Sequence, residues 1–319
     1  MTSDYAFIFP GQGSQQIGMG KALFDRYAAA RAIFEEADAA LGERLSSRCF
    51  EGDERELALT ANTQPAILTC SVAALAAARE ELGDDFVEGA RCCFGHSLGE
   101  FSALVAAGGL RFADAVRLVR LRGAAMQAAV PAGIGAMAAI FGIDPEPLEA
   151  LCAQISGDGA GEIVSPANEN GGGQIVVAGH AGAVARLSAA IKELGGGKVI
   201  PLNVSAPFHC ELMAPAAARL AVALESVDVS PLRIAVISNV DAKANQDAGR
   251  VKDLLVRQVT DRVRWDESVR SAMHSGVRRA FEIGHGRVLA GLCKRIARDL
   301  VVRPLGSPAD IDVLKHEAL

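Results

Sequence analysis

The sequence predicts an α/β fold of two domains: a large domain with a mostly parallel sheet, and a small domain inserted into it. Three observations carry this prediction. Buried strands alternate with apolar-striped helices over residues 5–130, the order of elements changes over 133–203, and the earlier alternation then resumes. A chain of 319 residues suits roughly two domains. We expect the large domain at 1–132 and 204–319 and the small one at 133–203.

The expected elements of the large domain can be placed in order. They are a strand at 5–10, helices at 21–41 and 63–82, a strand at 90–94, helices at 98–109 and 111–130, and, after the small domain, a helix at 210–224, a strand at 233–240, a helix at 248–260 and a last strand at 278–284. The pair Gly108-Gly109 ends the helix that begins at 98.

The small domain has a different order of elements. The sequence predicts a strand at 136–143, a helix at 144–155, strands at 162–170 and 173–180, a helix at 181–195 and a strand at 198–204. The order β-α-β-β-α-β is that of the ferredoxin-like unit.

Composition excludes several classes of protein. No apolar run approaches the ~18 residues of a membrane span, and no basic segment precedes an apolar stretch at the N-terminus, so we expect a cytoplasmic protein without a membrane partner. The net charge of −6 argues against nucleic-acid binding. The seven cysteines show no C-x-x-C spacing, so we expect neither a disulfide framework nor a metal site.

The stretch "FGHSLGE" contains a candidate nucleophile. Ser97 sits in the pattern G-x-S-x-G, between the strand at 90–94 and the helix at 98–109. This pattern fits a strand-to-helix turn that lifts a serine hydroxyl above a sheet, and the helix N-terminus would favour an oxyanion there. The alternative is a plain serine in a Gly-rich turn, since the pattern also arises by chance.

A serine nucleophile needs a base, and the chain has six histidines. His209 follows the strand at 198–204, and loops at the carboxyl ends of strands are where α/β sheets keep their sites. A capping role before the next helix is the equal alternative. His285 is a weaker candidate, and His96 is expected to pack under the turn. No acid stands on a strand-end loop between Ser97 and His209, which favours a Ser–His pair oriented by another group, such as a backbone carbonyl.

Two further residues are candidates for binding an anion. The loop "FPGQGSQ" lacks the third glycine of a dinucleotide site, and around Gln12 its backbone N–H groups could approach an anion; a tight turn is the alternative. Arg122 lies at the edge of the apolar stripe of its helix, where we expect a partly buried guanidinium. Such a group needs an anionic partner, which is either a structural carboxylate or that of a substrate.

Eight ordered motifs resemble one family. The segments "FIFPGQGSQ", "TQPAILT", "GHSLGEFSALVAAG", "RLRGAAMQ", "SAPFHCELM", "NV", "LLVRQ" and "FEIGHGRVLAGLCKRI" are similar to those of the malonyl-CoA:acyl carrier protein transacylases of bacterial fatty-acid synthesis, and of the acyltransferase domains of polyketide synthases. The resemblance covers about residues 5 to 300. It implies a hydrolase-like α/β domain with a ferredoxin-like subdomain.

The resemblance also implies a role for each matching residue. Ser97 would carry the acyl group, His209 would be its base, and Arg122 would bind the malonyl carboxylate. Backbone N–H groups of Gln12 and Leu98 would form the oxyanion hole. The backbone carbonyl of Gln258 would orient His209, and Leu98 and Phe208 together would favour malonyl over methylmalonyl.

The function implied is transfer of malonyl from coenzyme A to the phosphopantetheine thiol of acyl carrier protein, by a two-step mechanism through a malonyl-Ser97 ester. We expect no cofactor, a monomer, and a basic docking patch that includes Lys294 and Arg295. The segment Ala206-Pro207-Phe208 departs from many freestanding members, so polyketide service stays open. The sequence also leaves open a Ser–His acyl hydrolase and a catalytically idle scaffold.

Overall fold

The strands of the protein form two separate sheets. A computed structural model describes residues 4–194, 197–204 and 206–317 of the chain. In chain order the strands are β1 (Tyr5–Phe9), β2 (Cys92–Gly95), β3 (Gly135–Phe141), β4 (Val164–Gly171), β5 (Gln174–His180), β6 (Lys198–Pro201), β7 (Ala235–Ile237), β8 (Ala244–Asn245), β9 (Arg279–Ile283) and β10 (Val301–Leu305). The larger sheet has the order β10-β9-β1-β2-β7-β8, and the smaller has the order β4-β5-β3-β6.

The helices are numbered in the same way. They are α1 (Lys21–Arg26), α2 (Ala28–Leu41), α3 (Leu45–Glu51), α4 (Glu54–Ala58), α5 (Thr60–Leu82), α6 (Asp84–Glu88), α7 (Gly99–Ala106), α8 (Phe112–Ala128), α9 (Pro145–Ser156), α10 (Ala181–Glu193), α11 (Ala214–Glu225), α12 (Ala248–Arg257), α13 (Trp265–His274), α14 (Val288–Ile296) and α15 (Pro308–Glu317). Among the described helices, none combines the length and the apolar character that crossing a bilayer requires.

The larger sheet is mostly parallel and is buried on both faces. Strands β10, β9, β1, β2 and β7 run parallel, whereas β8 pairs antiparallel with β7. Along β1, Phe7 and Phe9 join the core beneath α2, α5 and α8, while Ala6 and Ile8 join a second core with Trp265 of α13. This confirms the predicted α/β class. With both faces covered, the carboxyl edge of the sheet is the natural place for a site.

The smaller sheet is antiparallel throughout. Helix α9 connects β3 to β4, and α10 connects β5 to β6, which is the expected β-α-β-β-α-β order. Leu148 of α9 and Leu187 of α10 pack with Ala138 and Ile140 of β3. Strand β4 also contacts the segment between α12 and α13, because the N–H of Glu169 donates to the carbonyl of Val263 at 2.9 Å.

Several expected elements have different bounds. The helix expected at 21–41 is two helices, because Tyr27 is extended (φ −113°, ψ 127°) between α1 and α2. The strand expected at 198–204 ends at Pro201, although the N–H of Leu202 still donates to the carbonyl of Met137 in β3 at 2.9 Å. The strand expected at 233–240 shortens to β7. The strand expected last, at 278–284, is followed by the edge strand β10.

Candidate active site

Ser97 stands on a sharp turn between β2 and α7. Its φ of 49° lies in the left-handed region, which is strained for any residue but glycine. A Cβ at Gly95 would lie 2.0 Å from the carbonyl carbon of Gly99, and one at Gly99 would lie 2.1 Å from the carbonyl oxygen of Phe9. Glycine at both positions therefore lets strand, turn and helix touch. The serine hydroxyl is held at the carboxyl edge of the larger sheet.

Two buried amide side chains fix the main chain of Ser97. Oδ1 of Asn239 accepts from the N–H of Ser97 at 2.7 Å, and Nδ2 of Asn239 donates to the carbonyl of Gly95 at 2.7 Å. Nε2 of Gln258 donates to the carbonyl of Ser97 at 2.9 Å. Asn239 follows β7 and Gln258 follows α12, so residues far apart in sequence stabilise the strained turn.

His209 forms a pair with Ser97. Its Nε2 lies 2.7 Å from Oγ of Ser97, and its Nδ1 lies 2.8 Å from the carbonyl oxygen of Gln258. A carbonyl only accepts, so Nδ1 carries the hydrogen and Nε2 presents its lone pair to the serine hydroxyl. Burial, with the nearby positive charge of Arg122, lowers the pKa of His209 to about 3. His209 is therefore neutral in the free protein at neutral pH.

Arg122 of α8 lies beside this pair. One Nη donates to Oε1 of Gln64 at 2.8 Å, and the other donates to Oε1 of Gln258 at 2.9 Å and to Oγ of Ser97 at 3.1 Å. The residue is 1% exposed, so the partial burial expected from the sequence was wrong; helices α5 and α7 cover the edge of the stripe.

The charge of Arg122 lacks a direct counter-ion. In the described part of the chain, no carboxylate forms an ion pair with the guanidinium, and its Nε has no hydrogen-bond partner. Burial lowers the pKa of Arg122 to about 10, and the charge of Glu100 opposes that shift. A buried cation held by neutral amides is suited to receive an anionic group.

Ser97, His209 and Arg122 open onto a pocket of about 140 Å³. Gln12, Leu98 and Phe208 also line it; Gln12 is exposed, whereas Leu98 and Phe208 are buried. Leu98 is the N-cap of α7, and Gln12 lies in the loop after β1. In the described part of the chain, no backbone or side-chain acceptor takes the N–H of either residue. The smaller sheet and its connections supply the far wall, through Met137, Asn168, Leu202 and Val204.

Sequence reasoning missed three buried polar residues of this site. Gln64 holds Arg122, Asn239 holds Ser97, and Glu100 contacts both Asn239 and Gln258. Each is at most 2% exposed. The available signal was a polar side chain inside an otherwise apolar element: Gln64 in "TQPAILT" and Glu100 in "GEFSALVAAG".

The chain matches the acyl transferase domain family over residues 6–299. It is 46% identical to the malonyl CoA-acyl carrier protein transacylase of Bacillus subtilis (strain 168), over 98% of this chain and 96% of that protein. It is 44% identical to the protein of the same name in Escherichia coli (strain K12), over 96% and 97% of the two chains.

The chain belongs to the malonyl CoA-acyl carrier protein transacylase family. Solved structures agree with this membership. An acyl-carrier-protein S-malonyltransferase from Bartonella henselae superposes with a TM-score of 0.93, at 44% identity and 99% coverage of both chains. A malonyl-transacylase solved in complex with its type II polyketide acyl-carrier protein gives a TM-score of 0.92, at 42% identity, over 99% of this chain and 100% of that one.

In this transacylase family member, the residues singled out from the sequence come together around one pocket. Ser97, His209, Arg122, Gln258, Gln12, Leu98 and Phe208 all line it or bond to residues that do. His285 lies elsewhere, with Nε2 3.1 Å from Oε1 of Gln16. His96 also lines the pocket, rather than packing under the turn as expected, and its Nε2 lies 2.9 Å from Oδ1 of Asn170. Among the described residues, no cluster of three or more His, Cys, Asp or Glu side chains is arranged to hold a metal ion.

A wider groove of about 500 Å³ adjoins the pocket and shares Gln12, His96, Asn168 and Leu202 with it. Arg295 of α14 lines the groove and donates to Oε1 of Gln174 at 3.0 Å. Lys294 is exposed on the same helix but does not line the groove. A cationic side chain therefore lines the groove that adjoins the Ser97 pocket.

Proposed function

We propose that the protein transfers a malonyl group from coenzyme A to the phosphopantetheine thiol of an acyl carrier protein, through a malonyl ester of Ser97. One observation carries the proposal. The Ser97 hydroxyl contacts both a neutral histidine base, at 2.7 Å, and a buried guanidinium, at 3.1 Å, in one small pocket. The first contact suits acyl transfer, and the second selects an acyl group that carries its own carboxylate.

The first step forms the ester. Nε2 of His209 takes the proton from Oγ of Ser97 while Oγ attacks the thioester carbonyl of malonyl-CoA. The tetrahedral intermediate collapses, the carbon–sulfur bond breaks, and His209 returns its proton to the departing thiolate. The carbonyl of Gln258 holds the imidazole in the required tautomer at 2.8 Å, in the place of a carboxylate.

The negative charge of the first intermediate needs hydrogen-bond donors. We assign this role to the N–H groups of Leu98 and Gln12, which line the pocket. The N–H of Leu98 belongs to the start of α7, so the helix dipole adds to the stabilisation.

The malonyl carboxylate has a second effect, on the base. Arg122 helps to lower the pKa of His209, and a carboxylate paired with the guanidinium would offset that repulsion. A bound malonyl group would therefore raise the pKa of His209 and make it a stronger base, whereas an acetyl group would not. This favours malonyl in the chemical step as well as in binding.

The second step discharges the ester. The carrier's thiol gives its proton to His209 and attacks the Ser97 ester; collapse of the intermediate then breaks the carbon–Oγ bond, and His209 reprotonates Oγ. Both steps use the same groups and need no cofactor, since coenzyme A enters as substrate and leaves as product. A monomer suffices, because this single chain supplies every residue of the scheme.

We infer that the carrier serves fatty-acid synthesis, since relatives with the transacylase name align over nearly the whole chain. A polyketide carrier is the second candidate, favoured by the likeness to the transacylase solved with one. Transfer rates to one carrier of each kind decide between them.

We also propose that the larger sheet belongs to a hydrolase-like domain, at 1–132 and 204–319, and the smaller to a ferredoxin-like subdomain at 133–203. The element order and the strand order of the two sheets support this division. Expressing 133–203 alone and testing it for cooperative unfolding checks the boundary.

The proposed function is tested by incubating the protein with acetyl-, malonyl- and methylmalonyl-CoA and measuring its intact mass. We expect a malonyl adduct, little acetyl adduct, and release of the malonyl group to a holo-carrier rather than to water. Rapid appearance of free malonate with no carrier product would instead identify a hydrolase.

A further inference from the structure

We propose that Glu100 is a positioning residue for substrate selection: through the side-chain amide of Gln258, it holds Arg122 where a carboxyl-bearing acyl group must be bound. The inference rests on the proposed function and extends it to a residue that touches neither the substrate nor the reacting atoms.

Glu100 is a buried carboxylate directly behind the nucleophile. It lies in the first turn of α7, three residues after Ser97, and is 2% exposed. Its Oε2 accepts from Nε2 of Gln258 at 2.7 Å and from the backbone N–H of Asn239 at 3.0 Å. A buried carboxylate is costly unless it is hydrogen-bonded, and these donors meet that need.

The contact with Glu100 helps to fix which way the Gln258 amide faces. An ionised carboxylate only accepts hydrogen bonds, so it takes the NH₂ end of the amide. The carbonyl of Ser97 takes the same end at 2.9 Å. Oε1 of Gln258 is thereby turned to Arg122, whose Nη2 donates to it at 2.9 Å. In the flipped amide an NH₂ group would face the guanidinium, and donor would oppose donor.

Glu100 and Arg122 are also coupled through their charges. Burial raises the pKa of Glu100 to about 7 and lowers the pKa of Arg122 to about 10, and the charge of each group opposes the shift of the other. The other groups that act on Glu100 are the neutral side chains of Ser238 and Gln258 and the backbone of Asn239. In its ionised form, Glu100 thus places a negative charge one amide away from the buried cation.

A purely structural role makes a different prediction from a positioning role. Loss of the bond to Asn239 would loosen the Ser97 turn and slow every acyl donor alike. Loss of the Gln258 orientation displaces Arg122, which removes a binding partner only from a donor with a free carboxylate. The ratio of kcat/KM for malonyl-CoA to kcat/KM for acetyl-CoA therefore separates the two roles.

The test compares this ratio in wild type and in Glu100→Gln, which keeps the shape and removes the charge. We expect the ratio to fall roughly tenfold, the loss of about one charge-assisted hydrogen bond. In an Arg122→Ala background, the same substitution should leave the ratio unchanged, because its effect passes through Arg122. Glu100→Asp, which keeps the charge but withdraws it from Gln258, is a second variant and should also lower the ratio.

Glu282→Gln is the matched control. Glu282 is an equally buried carboxylate, 0% exposed, but it accepts from the N–H groups of Leu289 and Ala290 at the start of α14. This substitution should lower the melting temperature and leave the ratio as in wild type.

The outcomes are separable. If the wild type prefers malonyl-CoA and a folded Glu100 variant keeps the same ratio, the role of Glu100 is refuted while the proposed function stands. The same conclusion follows if Glu100→Gln lowers the ratio equally in the Arg122→Ala background. A wild type without malonyl preference would refute the proposed function, and this inference with it.

Discussion

Replacing Arg122 by alanine removes the group to which we assign substrate selection. In the structure the guanidinium is held by Gln64, Gln258 and Ser97 at 2.8, 2.9 and 3.1 Å, and it is 1% exposed. A hydrogen bond to a charged group is worth about 1.5–3 kcal/mol, so we expect kcat/KM for malonyl-CoA to fall about 10- to 100-fold. The two glutamine acceptors are left unpaired, which should lower stability by about 1–3 kcal/mol.

Acetyl-CoA should respond differently to the same substitution. It has no carboxylate to lose a partner, and removal of the positive charge raises the pKa of His209, which makes that residue a stronger base. We therefore expect its kcat/KM to stay constant or rise.

The assay measures kcat/KM for both thioesters in wild type, Arg122→Ala and the control Arg117→Ala. Arg117 lies on the same helix but is exposed, where it pairs with Asp114 at 3.4 Å, so its loss should change neither value. Melting curves establish that each variant is folded. An equal fall for both thioesters in folded Arg122→Ala would refute the reasoning, since Arg122 would then be a structural group.

Three further predictions concern the base, the turn and the groove. Because burial and Arg122 lower the pKa of His209, the acid limb of the pH profile of kcat/KM for acetyl-CoA should lie below pH 6.5, the usual histidine value. This limb should move to higher pH in Arg122→Ala. A limb at the usual value in both proteins would contradict the assigned electrostatics. Gly99→Ala places a Cβ 2.1 Å from a backbone carbonyl oxygen and should cost about 2 kcal/mol or more in urea unfolding, whereas Gly291→Ala, on α14 with nothing within 4 Å, should not destabilise; equal midpoints would argue against the tight turn. Higher ionic strength should raise the KM for the carrier, and Arg295→Ala should weaken that dependence, while a flat profile in wild type would count against electrostatic docking.

Local patterns predicted the reactive turn well. The turn at Ser97 needs a buried strand, two glycines and an apolar helix in immediate succession, and all of these are contiguous in sequence. The alternation of strands and helices likewise predicted the parallel sheet, because each element carries its own periodicity. The βαββαβ order of the smaller sheet followed from the same kind of signal.

The residues that hold the site could not be placed in this way. The packing of α5 brings Gln64 to Arg122, and the loop after β7 brings Asn239 to Ser97. Glu100 is only three residues from Ser97, but its partners Asn239 and Gln258 are distant in sequence, and no sequence spacing encodes those contacts. The burial of Arg122 depended on the same helices. A similar limit applied to β10, whose sequence "VVRPL" contains a proline that weakens a strand prediction but is tolerated on an edge.

The central claim is that the malonyl group travels on the hydroxyl of Ser97. The direct measurement is to load the protein with malonyl-CoA, remove all coenzyme A, map the adduct by peptide mass spectrometry, and then add holo-carrier. We predict an adduct on the peptide that contains Ser97, complete discharge to the carrier, and no adduct in Ser97→Ala. A Ser97→Ala protein that still acquires the malonyl group, or a loaded enzyme that does not pass it to the carrier, would contradict the account.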